Sequence, residues 1–250
     1  MTIVVFTGPT LPPSEAAKEL QATYLPPVSE GDVYRAALQK PRAIGIIDGY
    51  FENVPSVWHK EILYAMSRGV HVFGASSMGA LRAAELAAFG MEGVGAVFQA
   101  YHDGHLEDDD EVAVTHGPAE LGFPLLSEAM VCIRRTLSDA CAGNVISEAT
   151  RQSLEALAKA LHYRERAYGT LISQGLAAGL AKQELDRFKA WLPGGRVDQK
   201  REDAVLLLRT LRERFRGKPS VKQVQFHFEH TLHWDQAARQ SGQGHTPGSA

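Results

Sequence analysis

The chain has 250 residues, of which 44% are hydrophobic and 22% are charged, and its net charge is −3. This balance is typical of a globular protein, and the weak net charge argues against a surface built for nucleic acid or for anionic membranes. The two cysteines, Cys132 and Cys141, cannot form a disulfide framework, and neither lies in a CxxC pair. The sequence has no apolar run of membrane-span length and no signal-peptide pattern at its start. We therefore expect a cytoplasmic protein without nucleic-acid or membrane partners.

Strand and helix patterns alternate over the first third of the chain. Short continuous apolar runs predict strands over 2–6, 43–47 and 70–73. Each run is followed by a glycine or by a turn that contains a glycine. Such runs are typical of strands buried on both faces of a sheet. The stretches between and after them predict helices over 14–22, 31–39, 55–68 and 77–89. This alternation predicts a parallel sheet with right-handed crossovers.

The pattern changes beyond residue 90. Residues 90–125 are irregular, and the remainder predicts helices over 126–142, 147–173, 178–192, 199–216 and 220–236. The last residues are small and polar, so we expect them to be disordered and dispensable. The predicted fold class is α/β, a small parallel sheet core with helices followed by a helical C-terminal half. We divide it into an α/β core with the active site (1–125), a helical region (126–236) and a disordered tail (237–250).

The run VHVFGASSMGALRAAEL, residues 70–86, carries the strongest functional signal. A strand runs into Gly74 and a helix begins near Ser77, which places the serine hydroxyl beside free helix amides at the carboxyl edge of the sheet. The arrangement resembles a nucleophile elbow, with A-x-S-x-G in place of G-x-S-x-G. Two other interpretations stay open: a helix N-cap, which serine favours, and a phosphate or nucleotide site.

A serine nucleophile needs a general base. Lys60 lies in the helix before the third strand among largely apolar neighbours, and a partly buried lysine can act as a neutral base. The alternative is an amphipathic lysine that extends its amine to water. His59 precedes it on the same helix, whereas His71 lies inside the strand and is more typical of a core or surface histidine.

Polar and small residues that follow the first two strands fall at the same predicted edge and would line one crevice: Thr7, Gly8, Thr10 and Asp48. On the helix that Ser77 begins, Arg82 either forms a surface ion pair with Glu85 or holds an anion over the site. The acidic run Glu107–Glu111 lacks the spacing of an EF-hand, so we interpret it as a solvated loop and expect no metal.

Taken together, these motifs resemble those of the TfuA-like protein family. The resemblance covers about residues 1–215, and its most specific part is GASSMGALRAAEL. In chain order it rests on GPTL (8–11), PPVSEGD (26–32), IIDGYF (46–51), HKEIL (59–63), GASSMGALRAAEL (74–86), FGMEGVG (89–95), DDEVAV (109–114) and, more weakly, VDQKREDA (197–204).

The resemblance implies a role beside YcaO-type enzymes in peptide backbone thioamidation. It implies hydrolysis of a thiocarboxylated, ubiquitin-like sulfur carrier protein by a serine–lysine pair, which corresponds here to Ser77 and Lys60, without a cofactor. Ser76 is adjacent, which leaves open which serine reacts. The amide of Met78 and a neighbouring amide are the expected oxyanion donors, and Arg82 is expected to help bind the anionic thiocarboxylate.

Two rival functions stay open. In the first, the protein is a non-catalytic adaptor that holds YcaO, sulfur carrier and peptide together, and the helical region is its working surface. In the second, the same helix N-terminus binds a nucleotide or phosphate, although the chain has neither a P-loop lysine motif nor a GxGxxG run. The sequence leaves the peptide substrate and the oligomeric state open.

Overall fold

The computed structural model describes residues 2–50, 54–217 and 220–242. The chain separates into two compact units, one formed by residues 1–105 with 203–250 and the other by residues 106–202. The first unit contains a parallel sheet, and the second is helical. Within the described ranges, no helix is both long enough and apolar enough to cross a bilayer.

Five parallel strands form the sheet of the first unit, in the order β2-β1-β3-β4-β5. They span Ile3–Phe6 (β1), Thr23–Leu25 (β2), Ala43–Ile46 (β3), His71–Gly74 (β4) and Glu92–Gly93 (β5). The α/β class and the three predicted strands are confirmed. The sequence did not reveal β2 and β5, because strands of three and two residues are too short to show an apolar run. Phe6, Ile46 and Gly74 are register partners, so the turns after β1, β3 and β4 leave from one edge, the carboxyl edge.

Five helices belong to the N-terminal part of the first unit: α1 (Pro13–Glu19), α2 (Asp32–Leu38), α3 (His59–Ser67), α4 (Met78–Leu86) and α5 (Ala96–His102). The first four correspond to the predicted helices and are each shorter than predicted, although α1 begins one residue earlier. A 3-10 turn over Ala87–Phe89 continues α4. The fifth helix lies in a stretch that we expected to be irregular.

The second unit consists of α6 (Met130–Ala142), α7 (Glu148–Ala160), α8 (Tyr168–Ala177) and α9 (Lys182–Gly195), with 3-10 turns over Asp109–Glu111, Ala119–Leu121 and Tyr163–Glu165. The single helix expected over 147–173 is therefore two helices. Apolar side chains from all four helices form one core, among them Ile133, Leu154, Leu171 and Phe188.

Basic side chains of the second unit bind the end of the acidic run. Asp110 pairs with Lys159 and with the fully buried Arg166. Glu111 is also buried and accepts hydrogen bonds at 2.9 Å from two nitrogens of Arg134. The solvated-loop interpretation therefore holds for the exposed residues 107–109 and is wrong for the last two. Among the residues described, no group of three or more His, Cys, Asp or Glu side chains is placed to hold a metal ion.

Helices cover both faces of the sheet in the first unit. Side chains alternate along each strand, so that Val4 and Phe6 lie on one face and Val5 on the other. The first face packs against α2, α3 and α4 through residues such as Ile62 and Leu86. Residues of α1 pack against the second face.

The helix α10 (Gln199–Arg214) completes the cover of the second face. Leu207, Leu208 and Leu211 are fully buried in that core. Gly45 in β3 permits the approach, because an added Cβ would lie 3.1 Å from Cδ1 of Leu211. Residues from 203 onward thus belong to the unit that contains the sheet, whereas we expected a separate helical region over 126–236. An amphipathic pattern predicts a buried face but does not say which core buries it.

The chain after α10 is extended before it becomes helical again. Val224, Phe226 and Phe228 alternate with polar residues, which is the period of an extended backbone, and the described residues 220–231 contain neither helix nor strand. The last helix, α11 (Leu232–Gly242), then begins. The helix expected over 220–236 is wrong in its first two thirds, and α11 runs into the expected disordered tail. Residues 243–250 of that tail lie outside the described residues.

Two glycines allow α4 to begin directly against the sheet. A Cβ added to Gly79 would lie 1.8 Å from the carbonyl oxygen of Ile46, and one added to Gly74 would lie 2.0 Å from the carbonyl oxygen of Gly79. Both obstacles are backbone atoms, which no change of rotamer can move. The Gly79 amide also donates to the Ile47 carbonyl at 3.3 Å. The first turn of α4 is therefore held on the carboxyl edge.

We expect Gly79→Ala to destabilise the protein by about 3 kcal/mol or more, because the added methyl group forces helix and strand apart. In a chain of this size, that loss corresponds to a fall of roughly 6–12 °C in melting temperature. Gly169→Ala is the matched control, since Gly169 is the second residue of α8 and a Cβ there meets no atom within 4 Å. Thermal unfolding followed by circular dichroism measures both variants, and equal melting temperatures would contradict the close approach.

Candidate active site

The turn between β4 and α4 has an unusual backbone. Ser76 has a φ of +69°, in the left-handed region that L-residues other than glycine rarely adopt. Ser77 follows with φ −122° and ψ −124°, immediately before the first helical residue. The Ala75 amide donates to the Ile46 carbonyl at 3.1 Å, and the Ser77 amide donates to the Ala75 carbonyl at 2.8 Å. Backbone strain at a sharp strand-to-helix turn is also a feature of nucleophile elbows.

The Ser77 hydroxyl occupies the N-cap position without capping the helix. It accepts no hydrogen bond from the amides of α4, which argues against the N-cap interpretation. The adjacent Met78 amide donates to no acceptor among the described residues. A hydroxyl beside an unused amide is the combination that acyl transfer requires, since the amide can stabilise an oxyanion. Ser77 is only 2% exposed, so a substrate reaches it after local opening.

Asp48 is buried just after β3 and organises the loop that follows β1. Its carboxylate accepts hydrogen bonds from the amides of Gly8 at 2.8 Å and Thr10 at 3.1 Å. The Thr10 hydroxyl donates to it at 2.5 Å. These three residues therefore meet at the carboxyl edge, as the strand ends predict. Their polar groups bind one another, so their contribution to a site is to fix the shape of the edge.

Lys60 lies on the first turn of α3 and contacts the C-terminal segment. Its Nζ donates to Oγ1 of Thr231 at 3.2 Å and lies 5.5 Å from the ring centroid of Phe228. The described residues give it no hydrogen bond to Ser77. The structure thus places the two predicted catalytic residues at the starts of two different helices without joining them.

Arg82 joins α4 to the beginning of α3. Its Nε donates to the Val57 carbonyl at 3.1 Å, and a terminal nitrogen pairs with Glu85 at 2.7 Å. Glu85 also lies 2.8 Å from Nε2 of His59. The predicted ion pair with Glu85 is therefore present, whereas the bond to the Val57 carbonyl was not predicted. In the structure it ties the two helices that carry Ser77 and Lys60.

His71 lies at the opposite, amino edge of the sheet. Its Nε2 is 2.9 Å from the carbonyl oxygen of Ser220, and its Nδ1 is 3.4 Å from Glu92. A cavity of about 620 Å³ opens at this edge, with Arg42 and Phe215 among its lining residues. The cavity is remote from the strand-to-helix turn, so we do not assign the serine chemistry to it.

Sequence reasoning missed Glu61, a buried carboxylate next to Lys60. It accepts hydrogen bonds from the amides of Gly31 at 2.8 Å, Tyr34 at 3.1 Å and Trp58 at 3.3 Å. One side chain thus binds the N-terminus of α2 and the N-terminus of its own helix. Burial raises the pKa of Glu61, and the three amide hydrogen bonds only partly offset that effect. A glutamate in a first helical turn is an ordinary sequence signal, and nothing in the sequence shows that it also caps a second helix.

Residues 48–167 match the TfuA-like protein family. Over this range the chain is similar to that family. The match contains the elbow and the motif around Lys60, whereas Gly8, Thr10 and the motif at 197–204 lie outside it. It confirms the resemblance and supports an accessory role in thioamidation. No curated protein matches the chain in sequence.

The raised pKa of Glu61 makes the stability of the protein depend on pH. The folded chain binds the Glu61 proton more tightly than the unfolded chain, whose carboxyl has an ordinary pKa of 4.5. The contribution of this group to stability is therefore complete below about pH 4.5 and is lost as the pH rises through the folded pKa.

We expect Glu61→Gln to be less stable than the wild type at low pH, because the amide nitrogen of glutamine cannot accept a hydrogen bond. The difference should shrink as the pH rises above 4.5, since only the wild type loses stability there. Urea unfolding at a series of pH values measures this difference in the free energy of unfolding. Glu107→Gln, at an exposed position, is the control. A difference that grows with pH would contradict the raised pKa.

Proposed function

We propose that this TfuA-like protein hydrolyses the thiocarboxylate of a ubiquitin-like sulfur carrier protein and so releases sulfide for a YcaO-type enzyme that thioamidates a peptide backbone. The observation that carries the proposal is the elbow. The Ser77 hydroxyl makes no cap contact, and it lies beside a Met78 amide without an acceptor among the described residues. The family match supports the thioamidation context, and the hydrolytic step is our proposal.

The proposed reaction has two steps. In the first, Ser77 Oγ loses its proton to neutral Lys60 and attacks the thiocarboxylate carbon. A carbon–oxygen bond forms and the carbon–sulfur bond breaks; the sulfur leaves with the electron pair and takes the proton from Lys60, so that hydrosulfide is released and the lysine is neutral again. The Met78 amide stabilises the oxyanion of the tetrahedral intermediate. In the second step, water attacks the acyl-enzyme, which releases the carrier carboxylate and restores the serine hydroxyl.

Lys60 is the proposed general base because its helix begins next to the helix of Ser77. Arg82 binds the Val57 carbonyl just before α3, and His59 contacts Glu85 of α4. These contacts hold the start of α3 against the middle and last turn of α4, the helix that Ser77 precedes. In the described conformation the lysine amine contacts Thr231 and Phe228, so the proposal requires it to turn toward Ser77 when the carrier binds.

The two cysteines do not offer an alternative route for sulfur. Burial, together with the nearby Asp198, raises the pKa of Cys132 to about 12. Partial burial and the hydrogen bond to Glu148 raise the pKa of Cys141 as well. A thiol with a raised pKa is a poor nucleophile at neutral pH, because the thiolate is the reactive form. This supports chemistry at a serine over a persulfide relay.

We expect Ser77→Ala and Lys60→Ala each to lower sulfide release from a thiocarboxylated carrier by about 10³-fold, by analogy with other serine nucleophiles. The double variant should be little worse than either single variant, because the two residues act as one unit. Sulfide released in the absence of YcaO is the quantity to measure.

Ser76→Ala and Lys18→Ala are the controls for this experiment. Lys18 lies on α1 and is exposed, so its loss should leave the rate unchanged. Ser76 carries the left-handed backbone of the turn, and its replacement should lower the rate far less than that of Ser77. If Ser76→Ala is inactive and Ser77→Ala is active, the nucleophile is Ser76. If both variants keep full activity, the hydrolase proposal is wrong.

A non-catalytic adaptor is the second candidate function. Two observations favour it: Ser77 is almost fully buried, and the Lys60 amine is bound to Thr231. An adaptor would bind the thiocarboxylated carrier and YcaO without releasing sulfide. Purified wild-type protein that binds the carrier but releases no sulfide over hours would support the adaptor and exclude the hydrolase.

We further propose that the end of α10 contributes to YcaO recruitment. Arg212 and Arg216 are 46% and 74% exposed. Both pair with Glu213, and Arg212 also donates to the Glu19 carbonyl at 2.9 Å. Charge reversal at both positions should weaken YcaO binding by roughly threefold to tenfold, with the larger effect at low salt. Lys182→Glu is the control, since this side chain is also 74% exposed and also pairs along its own helix. Calorimetric titration at two salt concentrations measures the affinities, and unchanged values would place the interface elsewhere.

A further inference from the structure

A segment near the C-terminus, Ser220–Trp234, lies along α3 from its last turn to its first, and we call it the strap. Beyond the end of α3, the Lys222 amide donates to the Gly69 carbonyl at 3.1 Å. At the start of α3, the hydroxyl of Thr231 accepts the hydrogen bond from Lys60. The strap therefore covers the outer side of the helix that carries the proposed general base.

Side chains, more than backbone, hold the strap in place. The Trp234 ring is 3% exposed and lies 5.1–5.4 Å from the rings of Tyr34, Tyr64 and Phe228. Between residues 220 and 231, the Lys222 amide is the single backbone donor to another backbone group in the described part of the chain. Segments with so few backbone hydrogen bonds open locally without unfolding the rest of the protein.

The strap binds the Lys60 amine at two points. Oγ1 of Thr231 accepts from Nζ at 3.2 Å, and it also accepts from the Trp234 amide at 3.2 Å as the N-cap of α11. The Phe228 ring lies 5.5 Å from the same nitrogen. A hydrogen-bond acceptor and an aromatic face are both partners that bind an ammonium group. The two contacts thus hold the amine at the strap, where it makes no hydrogen bond to Ser77 among the described residues.

We propose that the strap is an autoinhibitory element that holds Lys60 away from Ser77, and that displacement of residues 228–231 frees the amine. The regulatory part of this inference rests on the proposed Ser77–Lys60 hydrolysis. The hold on Lys60 does not depend on that reaction, because the chemical reactivity of the lysine amine can be measured separately.

The test compares the full-length wild type with Thr231→Val, Phe228→Leu and the double variant. These changes remove the acceptor and the aromatic face while keeping the apolar volume, and His227→Ala is the control, because that strap residue is 84% exposed. Each protein is treated with acetic anhydride at fixed pH, and acetylation of Lys60 is measured by peptide mass spectrometry relative to the exposed Lys182. Melting temperature and Trp234 fluorescence show whether each variant is folded.

We expect the double variant to acetylate Lys60 about tenfold faster than the wild type, as for a minor open state that becomes dominant. Sulfide release should rise in the same variant, and His227→Ala should match the wild type in both assays. Unchanged acetylation of Lys60 in folded variants overturns the proposal, whatever the sulfide rates. Faster acetylation with an unchanged, measurable sulfide rate also overturns autoinhibition. Faster acetylation with no sulfide from any variant supports the hold on Lys60 and counts against the hydrolase.

Discussion

The contact between the first turn of α4 and the ends of β3 and β4 is the constraint on which the candidate site depends. Because Gly74 and Gly79 allow the helix to begin against the strand ends, the chain must turn within three residues. That short turn requires the left-handed backbone at Ser76 and leaves Ser77 without a cap contact. The Met78 amide has no acceptor among the described residues, which is usual for the first donor of a helix.

Two buried carboxylates fix the loops on either side of this turn, and both bind backbone amides. Asp48 accepts hydrogen bonds from amides of the loop after β1, and Glu61 accepts them from amides at the starts of α2 and α3. Backbone donors do not titrate and have fixed positions, so a carboxylate bound to them sets loop geometry more strictly than an ion pair between flexible side chains. These bonds therefore fix the carboxyl edge around the turn, in which Ser76 has the strained backbone and Ser77 follows it.

Features that depend on a local residue pattern could be predicted from the sequence. Contacts between segments distant in the chain could not. The apolar runs and Gly74 predicted three strands and the turn at Ser77. The burial of Leu207 and Leu211 on the sheet could not be predicted, because an amphipathic helix fits any apolar surface of the right size. The pattern predicted the ion pair of Arg82 with Glu85 but not its bond to Val57, since that acceptor is a backbone carbonyl distant in sequence. The sequence analysis predicts a helix over most of the strap, although Phe226 and Phe228 follow the period of an extended chain.

The elements that complete the first unit come from beyond the range that matches the TfuA-like family. The match ends at residue 167, whereas α10 closes one face of the sheet and the strap covers α3 beside the other face. The turn at Ser77 depends on contacts within the matched range, namely those of Gly74 and Gly79 with backbone. The environment of Lys60 depends on Thr231 and Phe228, which lie outside it. A related chain with the same turn and a different C-terminal segment would therefore keep the position of Ser77 and change the contacts of Lys60. The position of the proposed nucleophile and the availability of the proposed base thus depend on different parts of the sequence.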